Sequence, residues 1–230
     1  MLCKWSELPD FMKTKQVRKY YQKINKKRGT LLVKRLFDVC VSFLMLLILS
    51  PVLLVLSVWI KIDSRGPVFY RQERVTQYGR TFKIFKFRTM VQNADKIGSL
   101  VTIDKDPRIT KVGEKIRKYR LDELPQLINI LIGDMTFVGT RPEVLKYVKQ
   151  YTDEMNATLL LPAGVTSLAS IEYRNEDEII NSFMDKYDSV DEIYINEILE
   201  DKMKYNLKAL RKFSLFGEIK ILIKTVIKVF

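Results

Sequence analysis

The sequence contains no histidine. That removes the Ser-His-Asp triad, the Cys-His pair, His-ligated zinc and the imidazole proton shuttle in one step. Cysteine is nearly absent too. Cys3 and Cys40 are far apart and form no C-x-x-C, which excludes zinc ribbons and thioredoxin-type redox sites. Cys40 lies in an apolar run and reads as a small buried hydrophobe. The glycine motifs that cradle phosphates, G-x-x-x-x-G-K and G-x-G-x-x-G, do not occur. Chemistry is left to carboxylates, Lys, Arg, Ser, Thr, Tyr or a hard cation such as Mg²⁺, and a bound nucleotide would be held by Arg, Lys and metal.

What is present is basic and globular. The 230 residues suffice for one medium domain, alone or with an appendage, and can bury a core without disulfide or metal staples. Hydrophobic residues make up 47% and charged residues 29%, a composition that folds. Lys and Arg number 40 against 27 Asp and Glu, a net charge of +13 that calls for an anionic partner: nucleic acid, an anionic membrane face or a phosphorylated substrate.

From Val39 to Ile60 no residue is charged. As a helix that run would measure roughly 33 Å, about the hydrocarbon thickness of a bilayer. Ser50-Pro51 interrupts it near the middle, where proline removes a backbone hydrogen bond. Lys34 and Arg35 precede the run, and Lys61 and Arg65 follow it. Because lysine and arginine favour the cytoplasmic side, two basic flanks suit a bent helix that enters one leaflet and returns; a spanning helix and a buried soluble helix are the alternatives. At the other end, Lys220, Lys224 and Lys228 recur every four residues opposite Ile219, Ile223, Val226, Ile227 and Phe230. That is the pattern of a helix lying in a membrane interface, or of one packing on its own domain.

Between these segments, Tyr78-Gly79 marks a hairpin between VFYRQ and TFKIFKF, GEKIRKYR and LPQLINILI read as helices, MTFV as a short strand, and Leu161-Pro162-Ala163-Gly164 as a loop. The densest chemical cluster is Asp122-Glu123 before Leu124-Pro125, with Arg117 and Arg120 just upstream. Proline fits the first turn of a helix, which places the carboxylates near a helix N-terminus, where the macrodipole and the arginines would lower their pKa. Such a pair can supply an ionised nucleophile and a ligand for a divalent cation; it can equally be a helix cap. On a strand, Lys86 and Arg88 share a face and suit a phosphate, while Phe85 and Phe87 face a core; a solvated strand face is the other reading. Arg141, in Gly139-Thr140-Arg141-Pro142-Glu143, is a candidate phosphate fork, or simply an exposed loop arginine.

In order and spacing, the Ser-Pro-interrupted helix, RGPVFYRQERV, FKIFKFRTM, RLDELPQLINILIGDMTFVGTRPE and LPAGVTSLASI resemble the bacterial sugar transferases, the monotopic polyprenyl-phosphate phosphoglycosyl transferases. The resemblance runs from about Lys34 to about Ile171. It implies an α+β, mainly helical monotopic membrane protein: a basic N-terminal extension over residues 1–33, a re-entrant membrane helix broken at Ser50 and Pro51 over 34–62, a cytoplasmic catalytic domain over 63–200, and a basic amphipathic tail over 201–230. The implied reaction moves a sugar 1-phosphate from a UDP-sugar to undecaprenyl phosphate and releases UMP, the first step of O-antigen, capsule, exopolysaccharide or glycoprotein glycan assembly. Asp122 would be the nucleophile that carries the phosphosugar, Glu123 the Mg²⁺ ligand, and Arg117, Arg141, Lys86 and Arg88 the groups binding substrate phosphate. The implied place is the cytoplasmic face of the bacterial inner membrane, against anionic inner-leaflet lipids; a homodimer is compatible with it and no nucleic acid is expected. Thr140 replaces the proline common in the Gly-Pro-Arg-Pro stretch, and Ala163 and Ser167 alter the Pro-Gly-Ile-Thr-Gly stretch, so the sugar is not specified. A non-catalytic scaffold of a glycan-assembly complex is the alternative from another class. A soluble nucleic-acid binder, motivated only by the charge, has no use for the uncharged run.

Overall fold

The computed structural model of the chain describes residues 2–94, 106–173 and 176–229. Helices dominate, in the order α1 (Lys15–Asn25), α2 (Arg28–Asp63), α3 (Lys111–Lys118), α4 (Gln126–Ile132), α5 (Leu145–Val148), α6 (Leu168–Glu172), α7 (Glu176–Ser182), α8 (Val190–Ile193), α9 (Leu199–Arg211) and α10 (Leu215–Val229). A π-helical turn at Tyr194–Ile198 joins α8 to α9. The β structure consists of two small sheets. Strands β1 (Phe69–Val75) and β2 (Thr81–Phe87) form an antiparallel hairpin with Phe69 opposite Phe87 and Val75 opposite Thr81. Strands β3 (Met135–Val138) and β4 (Ala163–Thr166) pair in parallel.

The hairpin, the two helices after it and the MTFV strand form where the sequence pattern places them. The segment read as a loop at 161–164 instead enters β4. Its two small residues allow this, because a Cβ on Gly164 would lie 2.2 Å from the backbone nitrogen of Gly139. The two strand ends approach each other too closely for any side chain.

Helix α2 holds 36 residues, and its most apolar 18-residue window has a mean hydropathy of 2.9 with only 11% of it buried. A core helix of a soluble protein would bury such a surface; here Phe43, Leu47, Ile48, Leu54, Val55 and Ile62 face outward. Cys40 is exposed with them and is not the buried hydrophobe expected from its setting, because it lies on the outward stripe of α2. The helix runs through Pro51 without interruption. Proline leaves the carbonyl of Leu47 without its i+4 backbone donor, and the Ser50 hydroxyl donates to that carbonyl at 2.8 Å. The Ser-Pro pair therefore repairs locally the bond that its own proline removes.

The inner stripe of α2 is polar at one end and apolar further on. Lys34 is buried and donates to the Val138 carbonyl at 3.1 Å and to Glu218 of α10 at 2.8 Å. Arg35 caps the C-terminal carbonyls of α4 at Ile130 and Leu131. Asp38 accepts from the Thr136 hydroxyl at 2.6 Å. Met45, Leu46 and Leu49 then pack on Phe82, Ile84, Leu127 and Ile130, and Leu56 and Ile60 pack on Phe87, Val112 and Ile116.

The residues read as a basic N-terminal extension pack against the rest of the chain. Leu8, Met12, Val17, Tyr20 and Ile24 are buried in one core with Ala157, Leu160, Leu207 and Phe213, all far downstream of α2. Each such burial contributes about 1.5–3 kcal/mol, enough to hold the segment as part of the domain. Both flanks of α2 thus meet in a single core.

The terminal helix α10 keeps Glu218 and Thr225 inward, with the Thr225 and Thr166 hydroxyls 2.7 Å apart. Phe216, Ile219, Ile223, Val226 and Ile227 are exposed, and Lys220 and Lys224 are exposed with them. Lysines and apolar residues therefore share the outer surface, while the inner contact is partly polar. Phe230 and the Lys228 side chain lie outside the described residues.

Candidate active site

The carboxylate pair sits on a 3₁₀ turn, Leu121–Glu123, between α3 and α4. Arg120 reverses the chain after α3 in the left-handed conformation, with φ 55°, uncommon for a residue with a side chain. Pro125 then starts α4, as its fixed φ allows. Two contacts fix this turn against the hairpin. Asn129 of α4, fully buried, accepts from the Phe85 amide at 2.8 Å and donates to the Lys83 carbonyl at 3.2 Å, filling the open edge of β2. Leu121 and Leu124 pack on the Phe87 cluster beneath. The strand that carries Lys86 and the turn that carries the carboxylates are thereby locked together.

Glu123 is the electrostatic centre. The Arg141 guanidinium forks onto both of its carboxylate oxygens, and Lys86 Nζ stands 3.6 Å from one of them. Burial pushes the Glu123 carboxyl up, but Arg141 and Lys86 together outweigh it and hold the group well below the usual carboxylate range. Asp122 behaves oppositely. Burial, then the neighbouring Glu123 charge, raises its pKa above the ordinary aspartate value, against Lys86, Arg117 and Arg120. The upstream arginines pull Asp122 down as their spacing suggests, but desolvation and the Glu123 charge outweigh them. One oxygen of Asp122, Oδ1, is buried with no hydrogen-bond partner, and so is Nε2 of Gln126.

The loop carrying Arg141 is itself clamped. Arg74 donates to the Pro142 carbonyl at 3.2 Å, and the Glu143 carbonyl accepts from the Val75 amide at 2.9 Å. The Glu143 carboxylate is buried and accepts from the Tyr194 hydroxyl at 2.5 Å. Lys202 of α9 donates to that hydroxyl and to Glu176, each at 2.9 Å. This buried network ties the helices after residue 175 to the site. No motif in the sequence pointed to Asn129, Glu143, Tyr194 or Lys202 as supports.

Of the residues singled out in the sequence, the structure gathers Asp122, Glu123, Lys86 and Arg141. Arg117 stands half-buried on α3, close enough to act electrostatically on Asp122. Arg88 lies elsewhere. It is one residue beyond β2, and its guanidinium binds the carbonyls of Ser64 and Arg65 at the exit of α2. Lys86 shares its strand face with Phe82 and Ile84, so that face turns inward; Phe85 lies on the other face under the Arg71 guanidinium.

Among the described residues no three or more Cys, Asp and Glu side chains cluster as a metal site. The carboxylate pair with its orphaned oxygen nevertheless fits Mg²⁺, which commonly takes one or two carboxylates and completes its shell with substrate phosphates and water.

The family model described as bacterial sugar transferase matches residues 29–230. The chain is 36% identical over 203 residues to the UDP-glucose:undecaprenyl-phosphate glucose-1-phosphate transferase of Klebsiella pneumoniae, covering 86% of this chain and 40% of that protein. It is 39% identical over 166 residues to the undecaprenyl-phosphate galactose phosphotransferase of Salmonella typhimurium, covering 65% and 34%. It is 37% identical over 158 residues to the exopolysaccharide production protein ExoY of Sinorhizobium fredii, covering 62% and 70%. The chain thus spans about two fifths of the length of the first of these relatives.

Proposed function

The chain belongs to the bacterial sugar transferase family, and from that premise we propose that it transfers a sugar 1-phosphate from a UDP-sugar to undecaprenyl phosphate, releasing UMP and opening the assembly of a surface glycan. The observation that carries this reading is the buried Asp122, with an unpartnered oxygen, beside a Glu123 held anionic by Arg141 and Lys86.

An oxygen of Asp122 attacks the sugar-bearing phosphorus. The bond from that phosphorus to the bridging oxygen breaks, and UMP leaves with the electron pair. The acyl phosphate that results is attacked by a phosphate oxygen of the lipid; the bond to Asp122 breaks, and its carboxylate returns. Neither step needs a proton donor, which suits a protein without histidine. Arg117, half-buried on α3 and near enough to act electrostatically on Asp122, would meet incoming phosphate. Glu123 and the free oxygen of Asp122 would hold Mg²⁺. When bound, the ion supplies positive charge that favours ionised Asp122 and neutralises the phosphates.

The membrane placement belongs to the same reading. The core shared by the two flanks of α2 supports a re-entrant helix with both ends at the cytoplasmic face of the inner membrane, and the net charge of +13 suits its anionic lipids.

The test is UMP release from a panel of UDP-sugars with Mg²⁺ and undecaprenyl phosphate. The expected result is UMP from one donor, dependent on lipid and metal, and reduced on the order of 10³-fold or more by Asp122→Asn. Full turnover by Asp122→Asn would remove it as the nucleophile. No UMP from any donor, with folded protein, would favour a scaffold role.

A further inference from the structure

A groove of about 470 Å³ opens between the last turns of α2 and the outer face of α3, lined by Trp59, Lys115, Ile116, Lys118, Tyr119 and Leu121. We propose that this groove is the docking site of the polyprenyl phosphate acceptor, with Lys115 and Lys118 holding its phosphate and Trp59, Tyr119 and Leu121 flanking its first isoprene units. The assignment rests on the reaction proposed above, and names where the second substrate of that reaction enters.

The chemistry of the lining selects the ligand. Lys115 and Lys118 lie three residues apart on α3, hence on one face. Their ammonium groups hang 5.6 Å from the Trp59 ring and 5.8 Å from the Tyr119 ring, and neither forms an ion pair among the described residues. Unneutralised ammonium groups beside apolar rings suit a ligand with a charged head and an apolar body. A phosphomonoester carries about −1.5 to −2 charges near pH 7, a closer match to two lysines than the single charge of a phosphodiester lipid. A nucleoside diphosphate sugar matches poorly, because the lining offers rings and aliphatic groups where uridine and sugar need hydrogen bonds.

Position argues the same way. Leu121, in the groove wall, directly precedes Asp122, and Arg117 lies on the same helix as both lysines, acting on Asp122. A phosphate held by Lys115 and Lys118 is therefore close to the residue that would carry the phosphosugar. On its other side the groove meets the outward apolar stripe of α2, where Val55, Val58 and Ile62 are all more than half exposed. A long isoprenoid tail leaving the groove would follow that stripe into the bilayer. Trp and Tyr at the groove edge are the side chains that settle at a membrane–water boundary.

The chain has two tryptophans, so Trp5→Phe leaves Trp59 as the sole indole and a reporter inside the groove. Full-length Trp5→Phe protein in detergent micelles is titrated with undecaprenyl phosphate, and Trp59 fluorescence is followed. A saturable change is expected, weakened roughly 10- to 30-fold by Lys115→Gln with Lys118→Gln and restored by arginine at both positions. Undecaprenol and inorganic phosphate, each lacking half of the ligand, are expected to give no saturable change. An equal response to undecaprenol, or to phosphatidylglycerol at the same mole fraction, would overturn the assignment in favour of a plain apolar or general anionic-lipid surface. Wild-type affinity in the double glutamine variant would overturn it too. Binding here needs no turnover, so the two readings fail separately: charge-dependent binding without UMP release keeps the groove and removes the reaction, whereas UMP release without charge-dependent binding does the reverse.

Discussion

Arg141 does for Glu123 what no other side chain in the site can do. Its planar guanidinium meets both carboxylate oxygens at once, whereas Lys86 offers a single ammonium at 3.6 Å. Arg141→Lys would keep the charge and lose the fork. A charge-assisted hydrogen bond is worth about 1.5–3 kcal/mol, so UMP release should fall about 10- to 150-fold. An unchanged rate would show that charge alone is needed there. The gathering of Asp122, Glu123, Lys86 and Arg141 was legible in the sequence because each is marked by close neighbours: an acidic pair before a proline, a cation in an alternating strand, an arginine in a Gly-Thr-Arg-Pro loop. Arg88 shows where that logic ends. Alternation binds residues only within a strand, and β2 stops at Phe87, so Arg88 turns to the exit of α2. Glu143 and Lys202 were illegible for the opposite reason, since only tertiary packing unites them through Tyr194.

At the scale of elements, α3 sets the geometry of the site because it feeds directly into the carboxylate turn. Thr110 caps its first turn by accepting from the Gly113 amide at 3.0 Å, and Asp63 accepts from the Val112 amide at 3.2 Å, joining the end of α2 to the start of α3. Gly113 seats the helix. A Cβ there would lie 2.0 Å from the Thr89 carbonyl oxygen, so any side chain must push α3 away from the chain leaving β2. Gly113→Ala should destabilise the protein by about 1–3 kcal/mol, read as a lowered thermal midpoint, and should reduce UMP release together with it. A wild-type midpoint would mean that α3 is not seated tightly. The helix and hairpin periodicities announced most of these elements. They missed β4, because Pro162-Ala163-Gly164 carries turn residues whose small size serves a close strand contact instead. Ser50-Pro51, read as the break of the apolar run, lies inside α2, where the Ser50 hydroxyl takes the carbonyl that Pro51 cannot.

At the scale of the molecule, the proposed placement of the chain about a membrane rests on its core. Tyr20 of α1 donates to Glu154 at 2.5 Å, Arg211 of α9 donates to both, and Lys27 donates to the Phe213 carbonyl. Residues on opposite sides of α2 in sequence are bound to each other, so a bilayer between them would have to cut this core apart. Meanwhile α2 and α10 are linked by the buried Lys34–Glu218 pair and turn their exposed apolar residues outward. The proposed immersion of those residues, with α1 and α9 on one side, satisfies both facts; a transmembrane α2 satisfies only the second. Cysteines placed singly at the exposed positions Lys19 and Lys208, after Cys3→Ser and Cys40→Ser, should therefore be labelled by an impermeant thiol reagent from the same face of sealed vesicles. Labelling from opposite faces would require the α1–α9 contacts to be absent in the membrane, and the re-entrant placement would fall with them.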